Sequence, residues 1–287
     1  MNQTRWLVVV VAALFVGAGA GSAALAMNAS STSAPPAPAP SLALPSIMAA
    51  TGDSITQAFD ADATHFLATA PAESWSTGSD PAINSQFRRI AVASPAVAVK
   101  PYNDSQTGAK MAALDSQMKA AAGQGAQYAT VLMGANDLCT PTAAAMTPTA
   151  TFSAEFGRAM SDFFAADPGA HVFVASIPNI FQLWNTMHTN LLAQATWTLG
   201  QICQSMLAPG NTAAQRQQVV DQELADNAVL ASVCRSHPNC RWDGNAVFNV
   251  QFPASDVSTV DYFHPSLAGQ KALAVVTWAA GYWPSTP

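Results

Sequence analysis

The chain has 287 residues with 17 acidic and 11 basic side chains, a formal net charge of −6, and only 10% of its residues are charged while 50% are hydrophobic. A nucleic-acid binder needs a surplus of Lys and Arg to displace counterions from phosphates, and a disordered chain needs high charge with low hydrophobicity, so both classes are excluded. The length suits one large domain, or at most two small ones, with a core of ordinary size.

At the N-terminus Arg5 precedes an apolar stretch over 6–16, and small residues follow as far as Ala24-Leu25-Ala26. A basic start, an apolar centre and a small-x-small site predict a secretory signal peptide over 1–26. Residues 6–26 are also long enough to cross a bilayer, so an uncleaved membrane anchor is the alternative. Residues 27–45 carry Ser30-Ser31-Thr32-Ser33 and then alternating Ala and Pro, with no apolar period; they read as a semi-extended linker. A folded domain is expected over 46–287, secreted or held in the cell envelope.

Within that domain short β-prone runs alternate with helical ones. Strands are predicted at 47–50, 96–100, 128–133, 171–176 and 246–249. Helices are predicted at 57–69, 110–121, 153–166, 213–233 and 266–278, and 177–210 is helical without clear divisions. This alternation implies a parallel sheet with helical crossovers on both faces, an α/β domain. The cysteines, Cys139, Cys203, Cys234 and Cys240, all follow the leader, and an even number in an oxidising compartment predicts two disulfides. Of three pairings, Cys234 with Cys240 is the natural local one across a short turn, which leaves Cys139 with Cys203. No C-x-x-C is present, and neither a metal nor another cofactor is expected.

In such a sheet the residues that do chemistry collect where strands end. Gly52-Asp53-Ser54-Ile55 follows the first strand, Tyr102-Asn103-Asp104-Ser105 and then Gly108 the second, and Gly134-Ala135-Asn136-Asp137 the third. Asp261-Tyr262-Phe263-His264-Pro265 precedes the last helix. Each alone is weak, and a lone Gly-Asp-Ser reads better as a turn with Ser54 capping a helix. Together, in this order, the four blocks resemble the SGNH, or GDSL-type, serine hydrolase family. The resemblance implies a flavodoxin-like three-layer α/β/α sandwich and hydrolysis of acyl esters through an acyl-serine. It also implies an oxyanion hole made by the backbone N–H groups of Ser54 and Gly108 and the side-chain amide of Asn136.

The residue types support the same roles. Ester cleavage needs an oxygen nucleophile, a base for its proton, a group that orients the base, and donors facing the oxyanion. Ser54 is the candidate nucleophile and His264 the base. Asp261, three residues earlier, can reach the other imidazole nitrogen. Gly108 is expected to leave room for the substrate carbonyl. Asp53 and Asp137 are expected to brace turns, and His65, His171, His188 and His237 to be structural or exposed.

The segment Glu73-Ser74-Trp75-Ser76-Thr77-Gly78 resembles the family's phospholipase-B-like and secreted actinobacterial esterase and lipase branch, which favours an acyl ester or lipid over carbohydrate acetate. Phe181, Leu183, Trp184 and Met187 read equally as an acyl-pocket lining or as core. The expected partner is an acyl ester or lipid substrate, met by a monomer in transient contact with a membrane or envelope. An acyltransferase with the same triad and a non-catalytic envelope-binding module are the alternatives.

Overall fold

The computed structural model describes residues 42–284; the expected leader and most of the expected linker lie outside them. Five strands, β1 (Ile47–Gly52), β2 (Lys100–Asn103), β3 (Tyr128–Leu132), β4 (His171–Val174) and β5 (Cys240–Trp242), form one parallel sheet in the order β2-β1-β3-β4-β5. Helices α1 (Gln86–Ala93) and α9 (Leu267–Ala280) pack together, while α2 (Leu114–Gly123), α4 (Thr149–Ala166) and α8 (Ala213–Arg235) form a second layer. This is the flavodoxin-like three-layer α/β/α sandwich. Four shorter helices complete it: α3 (Ala135–Leu138), α5 (Ile180–Met187), α6 (Leu191–Leu199) and α7 (Gln204–Leu207).

Burial on both faces explains the apolar strands. Every residue of β3 is buried, and Met48, Ala49 and Ala50 of β1 have no exposed surface. In α4, Phe152, Phe156, Ala159, Met160 and Phe163 form the i, i+4, i+7 stripe that covers the sheet. The chain passes from β1 to β2 on one side and returns to β3 on the other, so the carboxyl end of β1 stands at the switch point where such sheets open a crevice.

The structure corrects several predicted elements. No helix forms over 57–69. Asp60 Oδ1 accepts from the Ala68 N–H, Asp62 Oδ1 accepts from the Thr64 N–H, and Ala58, Asp60 and Leu67 adopt positive φ. Short acidic side chains that bond nearby backbone compete with a helical ladder, and here they win. β2 begins at Lys100, where 96–100 was expected to end, because an exposed edge strand tolerates Pro101 and needs no apolar run.

The last strand lies at Cys240–Trp242 rather than 246–249. Asp243 ends it by accepting from the N–H groups of Asn245 and Val247, which turns the chain there. Helix α1 was not anticipated; Ser85 caps it by accepting from the Arg88 N–H. The undivided stretch 177–210 breaks at Asn179 and Asn190, each an N-cap. Both disulfides, Cys139–Cys203 and Cys234–Cys240, are formed as expected.

Candidate active site

The turn after β1 depends on glycine. Gly52 has φ +148°, and a Cβ there would stand 2.4 Å from the Leu132 carbonyl oxygen. Gln117 of α2 holds this residue from the opposite side, accepting from the Gly52 N–H at 2.7 Å and donating to its carbonyl at 2.9 Å. Asp53 then closes the turn by accepting from the Ile55 N–H at 2.9 Å. Ser54, 6% exposed, is left facing the segment before α9.

From that segment His264 Nε2 lies 2.8 Å from Ser54 Oγ, and His264 Nδ1 is hydrogen-bonded to Asp261 Oδ2. In the neutral imidazole, Nδ1–H donates to Asp261 and Nε2 accepts from the serine hydroxyl. The other carboxylate oxygen of Asp261 accepts from the N–H groups of Phe263 at 2.9 Å and His264 at 3.0 Å. Burial pushes the Asp261 carboxyl up, but the hydrogen bond and charge of His264 and these two N–H groups outweigh it, so its pKa is lowered. The imidazole is wedged between the rings of Phe59 and Phe263, with centroids 5.1 and 5.0 Å away.

Two further loops are stitched to this centre. Asn103 Nδ2 donates to the Thr56 carbonyl at 3.1 Å, and the Gln106 N–H donates to the Gly52 carbonyl at 3.1 Å. Asn136 Nδ2 donates to the Ala109 carbonyl at 3.0 Å, and Asp137 Oδ2 accepts from the Met111 N–H at 2.9 Å. Gly108 is therefore held between the Ser54 turn and α3. Its φ of +78° calls for glycine, while the space where a Cβ would stand is open within the protein, so its conformation gives a reason beyond the expected clearance. Among the described residues, the backbone N–H groups of Ser54 and Gly108 donate to no protein acceptor.

Asp53 and Asp137 do brace turns, as expected, but both are buried and held high. Desolvation raises Asp53 to about 6, against the opposing pull of the Ile55 N–H and His264, and it raises Asp137 as well. His65 pairs with Asp62 at the surface, and His188 and His237 stack on Trp184 and Phe164. Trp75 is fully buried, donating to Thr56 Oγ1 at 3.3 Å, so the Glu73–Gly78 segment packs beneath the nucleophile turn.

Gln117 and Gln270 were missed by sequence reasoning. Gln270 of α9 accepts from the Trp75 N–H and donates to the Ile55 carbonyl, both buried. The available signal was a polar residue on the apolar side of a predicted helix.

An apolar slot of about 60 Å³ opens beside the imidazole, lined by Ile55, Ala135, Ile180, Leu183, Phe252 and Leu273 among others. Of the four residues whose role was open, Leu183 lines this slot and Met187 is core. Phe181 is exposed, and Trp184 lies under the Arg216 guanidinium, 4.4 Å from its ring centroid.

The model of the GDSL-like lipase/acylhydrolase family matches residues 50–272, which spans all four blocks. The chain belongs to the GDSL-like lipase/acylhydrolase family. It is accordingly a hydrolase acting on esters.

Among solved structures it is similar to LAE5, an α/β hydrolase enzyme from the metagenome of Lake Arreo, with 16% identity, a TM-score of 0.51, and coverage of 82% of this chain and 94% of that one. A candidate GDSL-like lipase from Parabacteroides merdae gives 13% identity, a TM-score of 0.51, and coverage of 84% and 98%. An extracellular lipase from Streptomyces rimosus gives 16% identity, a TM-score of 0.45, and coverage of 82% and 100%. At these identities the likeness is one of fold. No curated protein sequence matches.

Proposed function

We propose that the chain is an exported serine esterase or lipase that cleaves acyl esters through an acyl-serine intermediate. The observation that carries this reading is the continuous hydrogen-bonded line from buried Ser54 through half-buried His264 to buried Asp261. Ser54 Oγ attacks the ester carbonyl carbon while its proton passes to His264 Nε2. Asp261 keeps the imidazole in the required tautomer and stabilises the cation that forms.

The tetrahedral oxyanion is held by the Ser54 and Gly108 N–H groups and by Asn136 Nδ2. These donors are fixed before substrate arrives, so no reorganisation is needed as charge develops. Collapse expels the alcohol, which takes the proton back from His264. Water then enters with His264 again as base and releases the acid.

The apolar slot beside His264 suits the acyl chain, which favours an aliphatic ester over a carbohydrate acetate. Export is supported by two disulfides and by the leader pattern; among the described residues, no helix is long and apolar enough to cross a membrane. The test is labelling by a fluorophosphonate probe together with release of p-nitrophenol from butyrate and octanoate esters. Wild-type protein should do both and Ser54→Ala neither. Failure of the wild type in both assays refutes the reading.

A further inference from the structure

The slot beside His264 is mostly apolar, with Asn179, Asp256, His264 and Gln182 of α5 as its polar residues, and an amide in such a place is costly unless its donors are engaged. They are engaged. Nε2 donates to the Phe252 carbonyl across the slot at 2.9 Å and to Thr186 Oγ1, one turn along α5, at 2.8 Å. The amide is thus aimed by Thr186 and spent on Phe252.

Phe252 belongs to a lightly held loop. At its start Asp243 Oδ2 accepts from the N–H groups of Ser176 and Val247. Beyond that, backbone bonds stop at Val250 N–H to Val247 and resume at Asp256 N–H to Pro253. Gln251, Pro253, Ala254 and Ser255 are exposed, and only the Phe252 ring turns inward. Among the described residues, the Gln182 bond is the one hydrogen bond from another element to residues 249–253.

We infer that Gln182 is a specificity-determining residue, which sets the longest acyl chain the slot accepts by fixing the Phe252 wall. The inference rests on the acyl-serine reading above. Each methylene that finds apolar cover contributes about fourfold to kcat/KM. A wall pinned by a hydrogen bond ends that gain at a fixed chain length, whereas a released loop yields to a longer chain.

The experiment measures kcat/KM of the full chain on p-nitrophenyl butyrate, octanoate and laurate. Gln182→Met keeps the length of the side chain and removes both donors. Thr186→Val removes the group that aims the amide, from a position outside the slot. The laurate-to-butyrate ratio should rise about fifteenfold in Gln182→Met and about fourfold in Thr186→Val, as two and one newly covered methylenes would give.

Ratios within twofold of wild type in both variants overturn the inference, as does an equal fall on all three esters, the sign of a merely structural loss. A shift in Gln182→Met alone also overturns it, since the residue would then act by touching the chain and not through Phe252. If the wild type cleaves no ester and Ser54 is not labelled, it is the acyl-serine reading that has failed.

Discussion

Asp53 is fully buried directly before the nucleophile, with one carboxylate oxygen bonded to the Ile55 N–H and the other without a hydrogen-bond partner among the described residues. Desolvation raises its pKa from 3.8 to about 6. The folded state therefore holds this proton more tightly than the unfolded chain does, and stability falls as pH rises from about 4 through 6. Raising this pKa from 3.8 to about 6 corresponds to a loss of about 3 kcal/mol of stability, absent below pH 4 and complete above pH 7.

Asp53→Asn preserves the shape and the oxygen that accepts from Ile55, and it cannot ionise. In urea unfolding the variant should match wild type near pH 4 and exceed it by about 3 kcal/mol at pH 8, or roughly 6 to 12 °C in Tm. Other titrating groups, Asp226 with its pKa near 6 included, are common to both proteins and cancel in the difference. The same charge is felt by His264, so the variant should lose several-fold in kcat at neutral pH while gaining stability. A stability difference that is zero at pH 8, or equal at both pH values, would refute the ionisation argument and leave packing as the cause.

Asn136→Ala removes a preorganised donor and should lower kcat by about 10² to 10³ with a smaller effect on KM, measured on p-nitrophenyl butyrate. The disulfides should separate stability from function. Cys139–Cys203 closes a span of 64 residues, and replacing both cysteines by alanine should cost about 4 kcal/mol; because Cys139 directly follows α3, turnover should fall too. Cys234–Cys240 spans 6 residues, so the same replacement should cost about 2 kcal/mol in a urea titration and leave kcat within twofold.

The parts legible in the sequence are those where one physical cause dominates. β3 and β4 are buried on both faces and read as unbroken apolar runs, and α4 and α8 carry long helical stretches, so their positions were anticipated within a few residues. β2 and β5 were displaced because an exposed edge strand and a three-residue strand carry little apolar signal. The 57–69 helix failed because Asp60 and Asp62 satisfy backbone groups locally, an outcome decided by side-chain geometry.

The site blocks stood out as polar clusters in a weakly charged chain, and the structure brings Ser54, His264 and Asp261 into one line. Their supports left a fainter trace. Gln117 and Gln270 stand on the apolar sides of predicted helices, but what they and Gln182 do depends on partners 65, 215 and 70 positions away.

Those glutamines suggest why so lightly charged a chain builds its site in this way. The turn around Gly52 and Ile55 leaves backbone groups that no strand or helix can pair, and an amide satisfies a donor and an acceptor together without burying a charge. Next to the imidazole, by contrast, carboxylates are used where their charge acts on it. Asp261 bonds it directly, and Asp53 and Asp60, both buried, lie close enough for His264 to pull their pKa values down against desolvation. Three negative groups around one imidazole favour the cation formed at each proton transfer, and their burial works against folding. Asp53 and Asp60, whose pKa values are raised, are thus a source of instability beside the reaction centre, and the neutral amides of Gln117 and Gln270 hold the backbone in place around them.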